Sequence, residues 1–221
     1  MIKALIALSG GMDSATVLAK ALALDRQCET VGFYYGSKHN HWENKAAKEI
    51  AEFYEVPYDL IHLEEIMRGF KSNLMQGGGD IPEGHYEDES MSLTVVPGRN
   101  IIFASILAGV AWSRGFDEVW LGIHAGDHHI YPDCRPEFFV AMKEAIQKGT
   151  GEKIALQAPY LYNKKIGILQ DGTRLKVPYR LTRTCYTSDK YACGKCGGCR
   201  KRLEAFASLN MTDPIKYEET E

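Results

Sequence analysis

SGGMDS, residues Ser9 to Ser14, separates two apolar runs near the start of the chain, IKALIAL before it and ATVLAKALAL after it. The first run is short and continuously apolar, as a strand buried on both faces must be, so Ile2–Leu8 is predicted as a strand. Ser14–Leu24 has helical composition. A turn between strand and helix needs little room, yet this one holds two glycines, an aspartate and two serines. Gly10 and Gly11 permit positive φ and leave no Cβ between backbone and ligand. The helix that follows offers unpaired N–H groups and the positive end of its dipole. Together these make an anion site suited to phosphate. Ser9 and Ser14 add hydroxyl donors. Asp13 would repel a phosphate unless a Mg²⁺ ion lay between them. The plainer reading is a tight turn with Asp13 or Ser14 as N-cap. The pattern is neither a Walker A loop nor a GxGxxG fingerprint.

Outward from this turn the alternation continues. Thr30–Tyr35 reads as a strand, Asn44–Tyr54 as a helix and Val56–Leu63 as a third strand. Arg99–Ser113 is an apolar helix, Asp117–Ile123 a strand and Pro136–Gln147 a helix. This βαβ rhythm predicts an α/β fold, a doubly wound parallel sheet with helices on both faces. A nucleotide-binding domain is expected over 1–150 and a C-terminal zinc-binding segment over 151–221, because the rhythm is lost from Glu152 onward. Residues 64–93, which include QGGGDIPEGHYEDES, are polar and glycine-rich. A loop of that length is functional or disordered, and a lid is one reading. The acidic tail after Asn210 is expected to fray.

Composition narrows the function. With 45% hydrophobic and 25% charged residues the chain is ordinary for a globular protein. No apolar run reaches the ~18 residues a membrane span needs, and no membrane partner is expected. MIKALIALSGG is too short for a signal peptide and leads directly into a helix pattern. The net charge of −3 gives no overall footprint for nucleic acid. Locally, nine Lys/Arg and one acid, Asp189, lie between Arg174 and Arg202.

Four of the six cysteines, Cys185, Cys193, Cys196 and Cys199, fall within fifteen residues. Such clustering suits a reducing cytoplasm and a metal rather than disulfides. Four thiolates at this spacing, with Gly194, Gly197 and Gly198 between them, suit a closed, structural Zn²⁺ site. An iron–sulfur cluster would favour a fourth cysteine at x3 followed by proline; here Arg200 follows Cys199. The neighbouring basic residues would then offset the charge of the thiolates, in preference to forming a nucleic-acid patch.

Two further segments are chemically loaded. VPGRN, Val96–Asn100, places Arg99 at a helix start. The segment from Asp127 to Phe138 gathers Asp127, Tyr131, Asp133, Arg135 and Glu137 at a strand's carboxyl end, where open α/β sheets bind ligands. Each charge alone reads as a cap or a surface pair. His128 and His129 are adjacent and point apart, which argues against a metal.

SGGMDS after a first strand resembles the PP-loop of ATP pyrophosphatases, enzymes of the adenine nucleotide alpha hydrolase-like fold that cleave ATP between the α and β phosphates. With VPGRN, YPDCRPEF and the CY-x6-CGxCxxC pattern, nearly the whole chain resembles the 7-cyano-7-deazaguanine synthase family of the queuosine pathway. Tyr35-Gly36-Ser37-Lys38-His39 is similar to that family's YGQRH segment, with Ser37 and Lys38 replacing Gln and Arg. The resemblance implies a cytoplasmic, homodimeric, zinc-containing ligase. Its substrates would be 7-carboxy-7-deazaguanine, ammonia and ATP with Mg²⁺, and adenylated intermediates would lead through an amide to a nitrile. ATP would lie along Leu8, Ser9, Gly10, Gly11, Met12, Asp13, Ser14, Ala15, Thr16, Val17 and Leu18. Asp13, Ser14, Lys38, His39 and Arg99 would be catalytic, the last three as positive charge near the transferred phosphate. Asp127, Tyr131, Asp133, Arg135 and Glu137 would meet the substrate, with Asp133 or Glu137 accepting from its guanine-like edge. A relative stopping at the amide, a tRNA-thiolating enzyme and a nucleotide-binding zinc adaptor are the competing readings.

Overall fold

A computed structural model describes residues 1–85, 88–187 and 190–218. Asp189 and the last three residues of the acidic tail lie outside the described residues. The element order is β1 (Lys3–Ala7), α1 (Met12–Ala23), β2 (Gln27–Tyr34), α2 (Asn40–Phe53), β3 (Tyr58–His62), α3 (Arg99–Arg114), β4 (Glu118–Trp120), α4 (Pro136–Gly149), β5 (Ala155–Gln157), α5 (Lys165–Arg174) and α6 (Gly197–Ser208). The strands form one parallel sheet in the order β3-β2-β1-β4-β5.

The apolar run of β1 is explained by burial on two sides. Leu5 joins a core layer with Val31, Phe33, Val119 and residues of α3 and α4. Its neighbours Ala4 and Ile6 face the opposite layer, built from α1, α2, α5 and α6. A strand's side chains alternate between faces, so a sheet covered on both sides needs apolar residues at every position. β1 pairs with both β2 and β4. The chain winds one way from β1 through β2 to β3, then returns to the other side of β1. The switch point therefore lies between β1 and β4, and a crevice opens beyond their carboxyl ends.

The βα rhythm does not stop at Glu152. β5 pairs with β4 as the fifth strand, and α5 packs against α1. Three residues of strand, ALQ, are too few for periodicity to reveal. Nor is 64–93 a free flap. Met67, Leu74, Met75 and Met91 are buried in the core, and Lys38 Nζ donates to the Gly78 and Gly79 carbonyls, at 3.2 Å and 2.6 Å. The Glu83–Cys196 bridge and Gly84 N–H to Lys195 O, at 3.4 Å, join this strap to the cysteine loop.

The tail holds as far as it is described. Asp213 accepts from Arg202 Nε and Nη2 at 2.6 Å and 2.8 Å, and both side chains are shielded from solvent. A bidentate pair of this kind fixes the chain end on α6. Glu89–Arg114 is long and apolar enough to cross a membrane by length and composition. In the fold, Ala104, Leu107, Ala108 and Ala111 of α3 are buried in the core, and the helix packs on β1 and β4.

Candidate active site

The loop after β1 has the shape an anion cradle requires, with one amendment. Gly10 has φ 81, and a Cβ there would lie 2.3 Å from the Glu43 carbonyl. No other residue fits between the loop and α2. Gly11 is extended at φ −74 and serves as N-cap of α1, in place of Asp13 or Ser14. Ser14 Oγ donates to Gly11 O at 3.1 Å and shares a hydroxyl contact with Ser9 Oγ at 3.1 Å. The serines thus hold the loop open around its own N–H groups.

A cavity of about 220 Å³ covers this loop, at the switch point. Leu8, Ser9, Gly11, Asp13 and Ser14 line it. Met12, Ala15, Val17 and Leu18 instead lie in the core, and Thr16 donates to Met12 O at 2.7 Å beneath the loop. The expected run Leu8–Leu18 therefore divides into a lining and a foundation.

The cavity floor is a network of charge. Lys165, at the start of α5, pairs with Asp13 Oδ2. His124 follows β4 and is fully buried; its Nδ1 accepts from Gly126 N–H at 3.1 Å, which leaves the ring proton on Nε2. That Nε2 lies 3.5 Å from Asp13 and 3.3 Å from Asp127. Lys201 of α6 donates to Asp127 Oδ1 at 3.0 Å. Burial would push Asp13 up, but Lys165 and His124 outweigh it and hold the carboxyl well below its usual range. Asp127 is treated alike by His124, Lys201 and Lys165, and falls to about 2. Asp13 Oδ1 is buried with no hydrogen-bond partner among the described residues.

The second wall carries Arg99, Arg183, His39, Glu43, Tyr131 and Tyr186. Burial works against the Arg99 guanidinium, but its neighbours, the Asp133 carboxylate among them, hold it well above its usual range, and it stays charged. His39 does not supply the positive charge expected of it: burial and Arg99 lower it to about 3, so the ring is neutral. Lys38 is turned onto the glycine strap and does not line the cavity. Between these walls Val31, Phe33 and Phe103 make an apolar face suited to a flat ring.

The segment after β4 separates into parts. Asp127 and Tyr131 line the cavity. Asp133 caps α3, accepting from Asn100 N–H at 2.9 Å. Arg135 Nε donates to His128 O at 2.8 Å. Glu137 is exposed in the first turn of α4. Asp133, Arg135 and Glu137 thus build the turn or face solvent, and none lines the cavity.

The four clustered cysteines bring their sulfurs within 4.8 Å of one another. Cys193 N–H and Cys196 N–H each donate to a sulfur, at 3.3 Å. Crowding pushes the Cys199 thiol far up, through contacts with Cys185, Cys193 and Cys196. Four sulfurs so close ionise together only around a cation, so the donor set fits a four-coordinate metal ion.

The chain matches the family described as Queuosine biosynthesis protein QueC over residues 3–210. It is 42% identical over 216 residues to the 7-cyano-7-deazaguanine synthase of Pseudoalteromonas translucida (strain TAC 125), spanning 98% of this chain and 99% of that one. It is 43% identical over 219 residues to that of Psychromonas ingrahamii (strain DSM 17664 / CCUG 51855 / 37), spanning 99% of each. The chain belongs to the QueC family. Among solved structures, QueC's fold is shared by the U34-tRNA thiolase NcsA from Methanococcus maripaludis, at TM-score 0.50 and 14% identity over 95% of this chain and 66% of that one. A predicted subunit of tRNA methyltransferase from Methanocaldococcus jannaschii DSM gives TM-score 0.52 and 14% identity over 100% of this chain and 94% of that one.

Within this QueC chain, Lys165, Arg183, Lys201, Glu43 and Tyr186 line the cavity, and His124 backs Asp13 and Asp127 from beneath it, although the sequence did not mark any of the six as site residues. The basic cluster did contain a signal. It divides by function: Arg183 and Lys201 line the cavity, Arg202 holds Asp213, and Arg180 lies 6.0 Å from the Phe53 ring. Lys165 and His124 carry no local signal, because only the sheet order brings α5 and the β4 end to the first loop.

Proposed function

We propose that the chain converts 7-carboxy-7-deazaguanine, ammonia and ATP to 7-cyano-7-deazaguanine, releasing AMP and pyrophosphate through an adenylated carboxylate and an adenylated amide. The observation that carries this reading is end-to-end similarity to relatives named for that product, on a chain whose glycine loop opens into the switch-point cavity.

A carboxylate is a poor electrophile, and adenylation gives it a good leaving group. The N–H groups at the start of α1 receive the phosphates. Arg99, Arg183 and Lys201 supply fixed positive charge where the leaving pyrophosphate gains negative charge. Lys165 and His124 hold Asp13 ionised beside the loop. The partnerless Asp13 Oδ1 fits a Mg²⁺ ligand, and such an ion would screen the carboxylate from the triphosphate. The aromatic face of Phe33 and Phe103 takes a purine-like ring. The cysteine cluster holds Zn²⁺ as a closed structural site. Exposed Ile101 and Trp112 on α3, with Val140 on adjacent α4, support a homodimer.

Mass spectrometry of the product from 7-carboxy-7-deazaguanine, ammonium and ATP tests the reading. The nitrile, with AMP rather than ADP, is expected. A product that stops at the amide would move the chain to an amide-forming activity.

A further inference from the structure

Two side chains of the cavity play no part in gripping phosphate. Glu43 enters from the first turn of α2, on the stretch whose backbone carbonyl presses against Gly10. It is therefore beside the phosphate loop by construction. Its Oε2 lies 3.5 Å from His39 Nε2. The other ring nitrogen, His39 Nδ1, is buried with no hydrogen-bond partner among the described residues, and the ring stands 5.8 Å from that of Tyr186. A buried polar atom without a partner signals a ligand or a proton carrier.

We infer that Glu43, oriented by His39, is the site that captures ammonium and accepts its proton, so that ammonia attacks the activated carboxylate. The assignment rests on the nitrile-synthase reading and deepens it. The ionised carboxylate binds NH₄⁺ and takes one proton. The resulting NH₃ forms a C–N bond at the acyl carbon as the C–O bond to AMP breaks. AMP leaves as the dianion, and the second nitrogen-bound proton passes to solvent through the open mouth of the cavity. No oxidant or reductant is needed.

The groups around Glu43 allow this role. Arg99 faces it from α3 and Arg183 from the segment before the cysteines, while Tyr35 at the end of β2 and Tyr58 on β3 lie on the sheet side. Burial raises Glu43 to about 8, against the pull of the two arginines. Both tyrosines are raised and stay neutral. His39, itself neutral, does not compete with ammonium as a cation. A proton acceptor near the working pH transfers protons most effectively.

Hydroxylamine supplies the test, because it is largely unprotonated at neutral pH whereas ammonia is almost wholly ammonium. Wild-type and Glu43→Gln enzyme are given 7-carboxy-7-deazaguanine and ATP with either nucleophile. Glu43→Gln should lower ammonium-dependent amide and nitrile formation by about 10²-fold or more. Hydroxamate formation should fall far less, and Glu43→Asp should recover part of the ammonium-dependent rate. An equal fall with both nucleophiles, or an ammonium-dependent rate within about twofold of wild type, would overturn the assignment. Should Glu43→Gln not fold, the wild-type pH profiles decide. At fixed total ammonium the rate should rise with pH up to about pH 8 and then level off although free ammonia keeps increasing, and the hydroxylamine rate should show no such limb; matching profiles, or a rate that keeps climbing with free ammonia, overturn the assignment. If the wild-type enzyme forms neither hydroxamate, amide nor nitrile, the nitrile-synthase reading and this assignment fall together.

Discussion

Asp13 shows how much chemistry one side chain holds here. One oxygen is taken by Lys165, His124 approaches the same atom, and the other oxygen is buried without a partner. Replacing Asp13 with alanine should lower AMP and pyrophosphate release by about 10³-fold, the scale of losing a preorganised electrostatic group. Full turnover in that variant would remove the loop from the mechanism. The same network fixes an acid limb of stability. Asp127 titrates at about 2 in the folded chain against an ordinary 3.8, so the unfolded chain binds protons more readily. Its contribution is complete above pH 3.8 and is lost as pH falls through about 2. Melting temperature followed over that window should drop less steeply in Asp127→Asn than in wild type. An unchanged slope would show that the network does not lower Asp127. Asp13 was legible from sequence because its neighbours in the chain are its neighbours in space. Lys165, 152 residues away, was not, for no local pattern encodes a contact made through sheet order.

Among the elements, the cysteine loop does more than staple a terminus. Cys185 lies between Arg183 and Tyr186, and Cys199 lies two residues before Lys201; all three of those neighbours face the cavity. Gly198, next to Cys199 in α6, lines it too. A metal there would set the positions of cavity charges as well as the fold. Cys196→Ser should abolish metal content, measured as one zinc per chain in wild type. It should also cost about 4 kcal/mol, which for a chain of this size corresponds to a fall of about 8–16 °C in melting temperature. The affinity for ATP should weaken with it, since Arg183 and Lys201 lose their support. Wild-type melting and ATP affinity in the variant would refute both roles, and a coloured, iron-containing protein would refute zinc. The spacing of the cysteines announced a metal site. That the basic residues interleaved with them serve the cavity was not legible, because net charge averages over directions while the fold sorts Arg183, Lys201 and Arg202 to different partners.

Across the whole molecule, the long elements were readable and the short ones were not. α1 and α3 carry enough periodicity to declare themselves, and β1 and β2 enough continuous burial, whereas β5 is three residues that take their identity from β4. The strap over 64–93 misled by composition: Gly69, Gly77 and Gly79 are exposed, but Met67, Leu74 and Met91 anchor it. Among the described residues, α3 and α4 leave an apolar face open to solvent. Ile101 and Trp112 are each 48% exposed and Val140 58%, with Ile101, Ser105, Gly109 and Trp112 forming one stripe of α3 by their spacing of four, four and three. Burying such a stripe against its copy would remove apolar surface at about 25 cal/mol per Å², and a two-fold axis makes one patch complementary to itself. The chain should therefore run as a dimer in light scattering at micromolar concentration. The Trp112→Glu, Val140→Glu double variant should run as a monomer, since two carboxylates per subunit would have to be desolvated in the interface. Neither side chain lines the cavity, so a monomer that still binds ATP would separate assembly from nucleotide capture. A wild-type monomer, or a double variant that remains dimeric, would show that this face is not where the copies meet.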